Sequence, residues 1–116
     1  LNDLAYLLMI KDGSLEEVRG LVEEALALQP QNPVFLSTRS ELNLVSGRLD
    51  EAEHDLQQVL SAVPGHPQAL LLSARLYAAR GQKAAALELA ENLSERQSEL
   101  PTEQQAQLQA LLKNLQ

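Results

Sequence analysis

Gly47-Arg48-Leu49-Asp50-Glu51-Ala52 is the stretch that decides the fold, because Gly13-Ser14-Leu15-Glu16-Glu17-Val18 repeats its outline 34 residues earlier and Gly81 stands 34 residues later. Prolines keep the same step: Pro33, Pro67 and Pro101, with Pro30 and Pro64 alongside. Apolar or small columns run in register between them, namely Val18, Ala52 and Ala86; Val22, Leu56 and Ala90; Ala25, Val59 and Leu93. A fixed period of this length is the signature of stacked supersecondary units rather than of one closed core.

Each unit reads as two helices. The first begins at an Asn32-Pro33 or His66-Pro67 step, where proline's missing N–H leaves no bond unmade. It ends near Gly47 or Gly81, where a residue without Cβ can close a helix in the left-handed conformation. Second helices are predicted over about Leu15 to Leu28, Leu49 to Ala62 and Lys83 to Arg96. Ser14 and Glu17 have capping-box spacing at the start of the first of these. Leu49, Ala52, Leu56, Val59 and Leu60 make one apolar stripe at helical spacing. A hairpin of this kind buries its faces by stacking on its neighbours.

Composition agrees. The chain has 116 residues, with 9 Lys+Arg against 16 Asp+Glu for a net charge of −7, no cysteine, no tryptophan, and two Tyr and one Phe as its aromatics. Leu and Ala dominate the apolar set, which favours helix. Without cysteine there is no disulfide, thiolate metal site or thiol nucleophile. The acidic balance argues against a nucleic-acid partner, which clustered Lys and Arg would serve. Leu4 to Ile10 is the longest apolar run, far below the roughly 20 residues that span a bilayer, so no membrane insertion is expected. The chain opens at Leu1 rather than Met, as expected of a fragment of a longer protein or a processed chain.

The 34-residue period, the two Gly-initiated segments above and Ala25-Leu26-Ala27-Leu28-Gln29-Pro30 together resemble the tetratricopeptide repeat family. The resemblance implies an all-α, right-handed superhelical α-solenoid of about seven helices forming a single domain over 1–116. Its repeats fall at about 1–32, 33–66 and 67–100, with a capping helix at about 102–115. One extra residue before Gly13 brings Ala5, Ser40 and Ala74 into the small column of the first helices. Arg39 and Asn43 depart from the family pattern, which is apolar there as at Tyr77, and predict a loosely packed or tilted helix in the second unit. Gly20, mid-helix, costs about 1 kcal/mol against alanine and is expected to mark a close helix contact. Leu108, Leu111, Leu112 and Leu115 supply the buried stripe of the closing helix. Leu1 to Lys11 is apolar nearly all round, as expected where further repeats or a partner precede it.

Chemistry finds few footholds. Glu51-x-x-His54 matches one element of a di-iron carboxylate site, but the further glutamates and a second copy are missing. His54 beside Asp50 and Asp55 reads as an exposed residue in an acidic patch. The groups Glu16, Glu17, Glu23 and Glu24, and Asp50, Glu51, Glu53 and Asp55, read as solvated outer faces near helix N-termini. No Gly-x-Ser-x-Gly elbow or phosphate loop occurs. The expectation is a non-catalytic chain without cofactor or metal.

From the resemblance, first helices line a concave groove that takes a partner peptide or helix. Its columns here are Asn2, Ser37 and Leu71; Tyr6, Glu41 and Arg75; Met9, Leu44 and Ala78; Ile10, Val45 and Ala79. Chaperone-binding members clamp a terminal carboxylate with Lys, Asn and Arg, which requires cationic donors at several of these positions; only Arg75 is one, and Glu41 can neutralise it, so no such docking is expected. The apolar floor (Tyr6, Met9, Ile10, Leu44, Val45 and Leu71) reads either as a contact surface or as inter-helix core. The expected function is a protein-interaction scaffold; the alternative is homodimerisation through the N-terminal end or the groove. The Leu-, Ala- and Gln-rich style suggests a bacterial-type chain, whose members often serve assembly or export complexes. Absence of cysteine fits cytoplasm and bacterial periplasm or cell envelope alike.

Overall fold

The computed structural model describes residues 15–116. They form six α-helices: α1 Leu15–Leu28, α2 Pro33–Val45, α3 Leu49–Ala62, α4 Pro67–Ala79, α5 Lys83–Ser94 and α6 Thr102–Leu115, with a 3₁₀ turn at Gln97–Glu99 before the last. The additional first helix predicted over Leu1 to Lys11, and the Ser14 half of the capping box, lie outside the described residues.

Helix ends follow the punctuation of the sequence. At the start of α2 the Asn32 side-chain oxygen accepts hydrogen bonds from the Val34 and Phe35 N–H groups at 2.9 and 3.3 Å, and Pro33 fills the first turn. At the start of α4, His66 replaces asparagine, and its ring Nδ1 accepts from the Ala69 N–H at 3.2 Å. Both helices close identically. Gly47 (φ +80°) and Gly81 (φ +78°) are left-handed, and the next residue's N–H reaches back to the Asn43 or Tyr77 carbonyl at 2.8 or 2.9 Å. That is the paired-bond closure which glycine adopts without Cβ strain.

Helix α4 shows why the hairpins stack. Its Ala69, Leu72 and Leu76 join Val18, Val22, Leu36, Leu42, Ala52, Leu56 and Val59 in one core. Its Leu71 and Ala74 join Ala90, Leu93, Leu100 and Leu108 in a second. Both sides of one helix are therefore buried, one against the preceding helices and the other against its own hairpin partner α5 and the closing helix α6, which is the nearest-neighbour packing of a repeat array. Within the second hairpin the small residue Ser40 lets α2 approach α3 closely, and its hydroxyl donates to the Ala52 carbonyl at 2.9 Å. Helix α6 lays Leu108 and Leu115 inward, with Leu111 and Leu112 packed on the second core.

Two local expectations are corrected and a third is narrowed. Helix α5 ends at Ser94 rather than Arg96: the Arg96 N–H bonds only three residues back, to the Leu93 carbonyl at 2.8 Å, and its guanidinium donates to the Gly65 carbonyl at 2.7 Å and to Glu99 at 2.9 Å. Among the described residues Gly20 marks no close contact: a Cβ built there meets none of their atoms within 4 Å, and the predicted first helix of its own unit lies outside them. The second unit's first helix is not loosely packed, since Arg39 and Asn43 are held by side chains of both flanking helices, as described next.

Candidate functional site: two faces of the second repeat's first helix

At 100° per residue, Val34, Ser37, Glu41, Leu44 and Val45 share one face of α2, and Arg39 and Asn43 project from the opposite one. Of the predicted groove columns, Asn2, Tyr6, Met9 and Ile10 lie outside the described residues. Among the others, burial divides the set. Ser37, Glu41 and Leu71 are buried, Leu71 at 1% exposure, so these three are inter-helix contacts and not open floor. Leu71 packs in the core that α6 closes. Exposed apolar surface on this face is left to Val34 and Val45, at 36% and 48%, with Leu44 half-buried against the first core. Arg75 reaches Glu41 at 3.1 Å across α2 and α4. Leu71 is buried because α6 covers it, a tertiary contact that a column of equivalent repeat positions does not contain.

The opposite face carries a charged network. Asp55, from α3, is 2% exposed and therefore no part of a solvated acidic face. Both its oxygens accept from Arg39, at 2.8 and 2.9 Å, and a third guanidinium nitrogen reaches Glu23 of α1 at 2.9 Å. This fork geometry is the strong, orientation-specific form of an ion pair. The hydrogen bond to Asp55 holds the Arg39 pKa above the ordinary guanidinium range, with burial acting against it. Beside it, Arg19 of α1 donates to the Asn43 side-chain oxygen at 2.9 Å. Three helices are thus tied through α2 by polar contacts, where the next repeat has Ser73 in place of Arg39 and Leu89 in place of Asp55.

The network borders a pocket of about 490 Å³, lined by Arg19, Glu23, Arg39, Asn43, Arg48, Asp50, Glu51, His54 and Asp55. Sequence reading missed it, although one signal was present. Asp55 is three residues after Ala52 and four before Val59, which puts it on the apolar stripe of its own helix. His54 is exposed, its Nε2 2.9 Å from the Gln58 amide nitrogen, and among the described residues no three His, Cys, Asp or Glu side chains are grouped to hold a metal ion. Among the same residues no helix is long and apolar enough to cross a membrane.

Comparison with known proteins agrees with the architecture. A 65-residue segment, 56% of this chain, is 37% identical to protein adenylyltransferase fic-1 of Caenorhabditis elegans, of which it covers 13%. The TPR repeat-containing thioredoxin TTL4 of Arabidopsis thaliana is 31% identical over 74 residues, 64% of this chain and 11% of that protein. A TPR repeat-containing protein of Pseudomonas aeruginosa is 35% identical over 66 residues, 57% of this chain and 11% of its own length. The chain thus spans little more than a tenth of these relatives. They come from a nematode, a plant and a bacterium, so the expectation of a bacterial-type chain is not borne out. No solved structure matches. Repeats of the type named in two of these relatives generally mediate contacts between proteins. The tetratricopeptide repeat profile matches residues 44–115, well over half of the sequence, and this chain belongs to the tetratricopeptide repeat family.

Proposed function

We propose that the chain is a non-catalytic scaffold that seats a peptide or helix of a partner protein on the inner face of its first helices. The observation that carries this is the pair Val34 and Val45, exposed at the two ends of one face of α2 with Leu44 between them. Separated apolar anchors of this kind suit an extended segment or one side of a helix. Repeat register in the sequence adds Asn2, Tyr6, Met9 and Ile10 to the same face, with Tyr6 the aromatic anchor. Ser37, Glu41, Leu71 and Arg75 frame that face from within the packing. Three of the carboxylates near α2 are held by arginines, Asp55 and Glu23 by Arg39 and Glu41 by Arg75. A net charge of −7 suits a protein partner better than a nucleic acid.

Selection of a random-peptide display library against the chain tests this. Recovered peptides should bind Val45→Glu and Tyr6→Ala about tenfold more weakly than the unmodified chain, and equal affinity for all three would remove the inner face from consideration. Self-assembly through the same groove or the N-terminal end is the alternative. Light scattering over a hundredfold concentration range separates the two, since a mass that doubles with concentration would occupy the groove with a second copy.

A further inference from the structure

The pocket over Arg39 can be set against the next repeat, where four of its nine lining positions recur around a smaller space. Arg19, Glu23, Arg39 and Asn43 correspond at the 34-residue step to Glu53, Gln57, Ser73 and Tyr77. These four line a space of about 100 Å³, against about 490 Å³ at the first interface. A tyrosine ring stands at the second interface where the first has only the short side chain of Asn43. The same backbone step is filled in one place and open, with charge, in the other.

The ions around the opening are not balanced against each other. Four carboxylates line it, and three are engaged: Asp55 and Glu23 by Arg39, and Asp50 by Arg80. Of its three arginines, Arg39 alone has a carboxylate partner among the described residues. Arg19 is bonded to the neutral amide of Asn43, and its Nε is buried without an acceptor. Arg48 is exposed and makes no ion pair among the described residues; as the residue preceding α3 it also provides no side-chain cap to that helix. Two guanidinium groups therefore face one unengaged carboxylate, Glu51. A guanidinium without a counter-ion at the edge of a pocket recognises a planar carboxylate through paired N–H donors, and the volume accommodates one acidic residue.

We propose that this pocket is a carboxylate-binding site, which holds an acidic side chain or chain terminus of a peptide between Arg19 and Arg48. Arg39 is committed to Asp55 and acts as a positioning residue that fixes the floor. The site lies on the face of α2 turned away from Val34 and Val45, so it stands or fails independently of the inner-face proposal.

The test is a titration of the ¹⁵N-labelled chain at constant ionic strength, read at the Nε–H signals of Arg19 and Arg48. Four probes are used: N-acetylglutamate α-amide, N-acetylalanine, N-acetylglutamine amide and N-acetyllysine amide. Saturable shifts at both arginines with the first probe show side-chain recognition; with the second they show recognition of a chain end. Either supports the proposal. Arg48→Gln, which installs the residue found at Gln82, should weaken the carboxylate probe about tenfold without changing the far-UV circular dichroism. Asn43→Tyr should abolish binding by placing a ring in the opening. Arg19→Gln is the second cationic variant and should weaken the probe similarly. Equal shifts with the glutamine probe, saturation by the lysine probe instead, or full affinity in Arg48→Gln would each overturn the assignment.

Discussion

The second repeat, α2 and α3, and the third, α4 and α5, close their helices alike and fill the space between them differently. Both begin with a capping side chain before proline, and both end on a left-handed glycine with the same two backbone bonds. Between those fixed points the third repeat places Ser73, Tyr77 and Leu89 where the second has Arg39, Asn43 and Asp55. The backbone tolerates either filling because the cap and turn geometry is set locally, before the side chains between helices are chosen. What the polar filling adds is directionality: a fork from Arg39 to Asp55 specifies how α2 is rotated against α3, which an apolar contact leaves freer. Buried ion pairs do not by themselves mean greater stability, and the two repeats make that separable within one molecule.

The largest effect should come from breaking the pair on one side. Asp55→Ala leaves the Arg39 guanidinium half-buried with only the more exposed Glu23 as counter-charge and should lower the unfolding free energy by about 3 kcal/mol in a urea titration. Importing the third repeat's residues together, Arg39→Ser with Asp55→Leu, should recover most of that loss. If the double variant were as unstable as the single one, the polar filling would be contributing net stability, and the two repeats would not be interchangeable in the sense drawn above.

A smaller effect separates the two caps. Asn32 accepts its hydrogen bonds at any pH, whereas His66 can accept from the Ala69 N–H only while Nδ1 is unprotonated. Burial lowers the His66 pKa below its usual 6.5 in the folded chain, so the unfolded chain takes up a proton first as the solution is acidified. Its contribution is full above about pH 6.5 and is lost as pH falls through that value toward the folded pKa. The cap is worth about 1 kcal/mol. Thermal melts at pH 5 and pH 7.5 should therefore differ more for the unmodified chain than for His66→Asn, which carries the second repeat's cap. Identical pH dependence in the two would mean that the ring is not the acceptor that matters.

What was legible in the sequence were the positions where the backbone itself makes a demand. Gly47 and Gly81 are needed for positive φ, and Pro33 and Pro67 are tolerated only in a first turn, so their recurrence gave the helix boundaries to within a residue or two. The pairing of Arg39 with Asp55 depends on how two helices are rotated about their axes, and residues 16 apart do not announce that. Asp55 also sits in a run with Asp50, Glu51 and Glu53, where three of the four are surface or half-exposed, and composition hid the one that is buried. Leu71 and its repeat equivalent Ser37 failed together as open groove floor: both are buried, and helical spacing alone does not separate a residue facing the groove from one covered by the next helix.

The smallest effect concerns a position with no counterpart in the later repeats. Gly20 is followed at the same register by His54 and Glu88, both ordinary helix residues, and it is exposed, with no atom of the described residues within 4 Å of where a Cβ would stand. Its helix is regular across this point, so alanine adopts the required backbone without strain and restricts the unfolded chain more than glycine does. Gly20→Ala should raise the unfolding free energy by about 0.5–1 kcal/mol in the same urea titration, with no change in slope. A loss instead would mean that an approach to Gly20 exists outside the described residues, and the first repeat would then have a packing partner that the second and third do without.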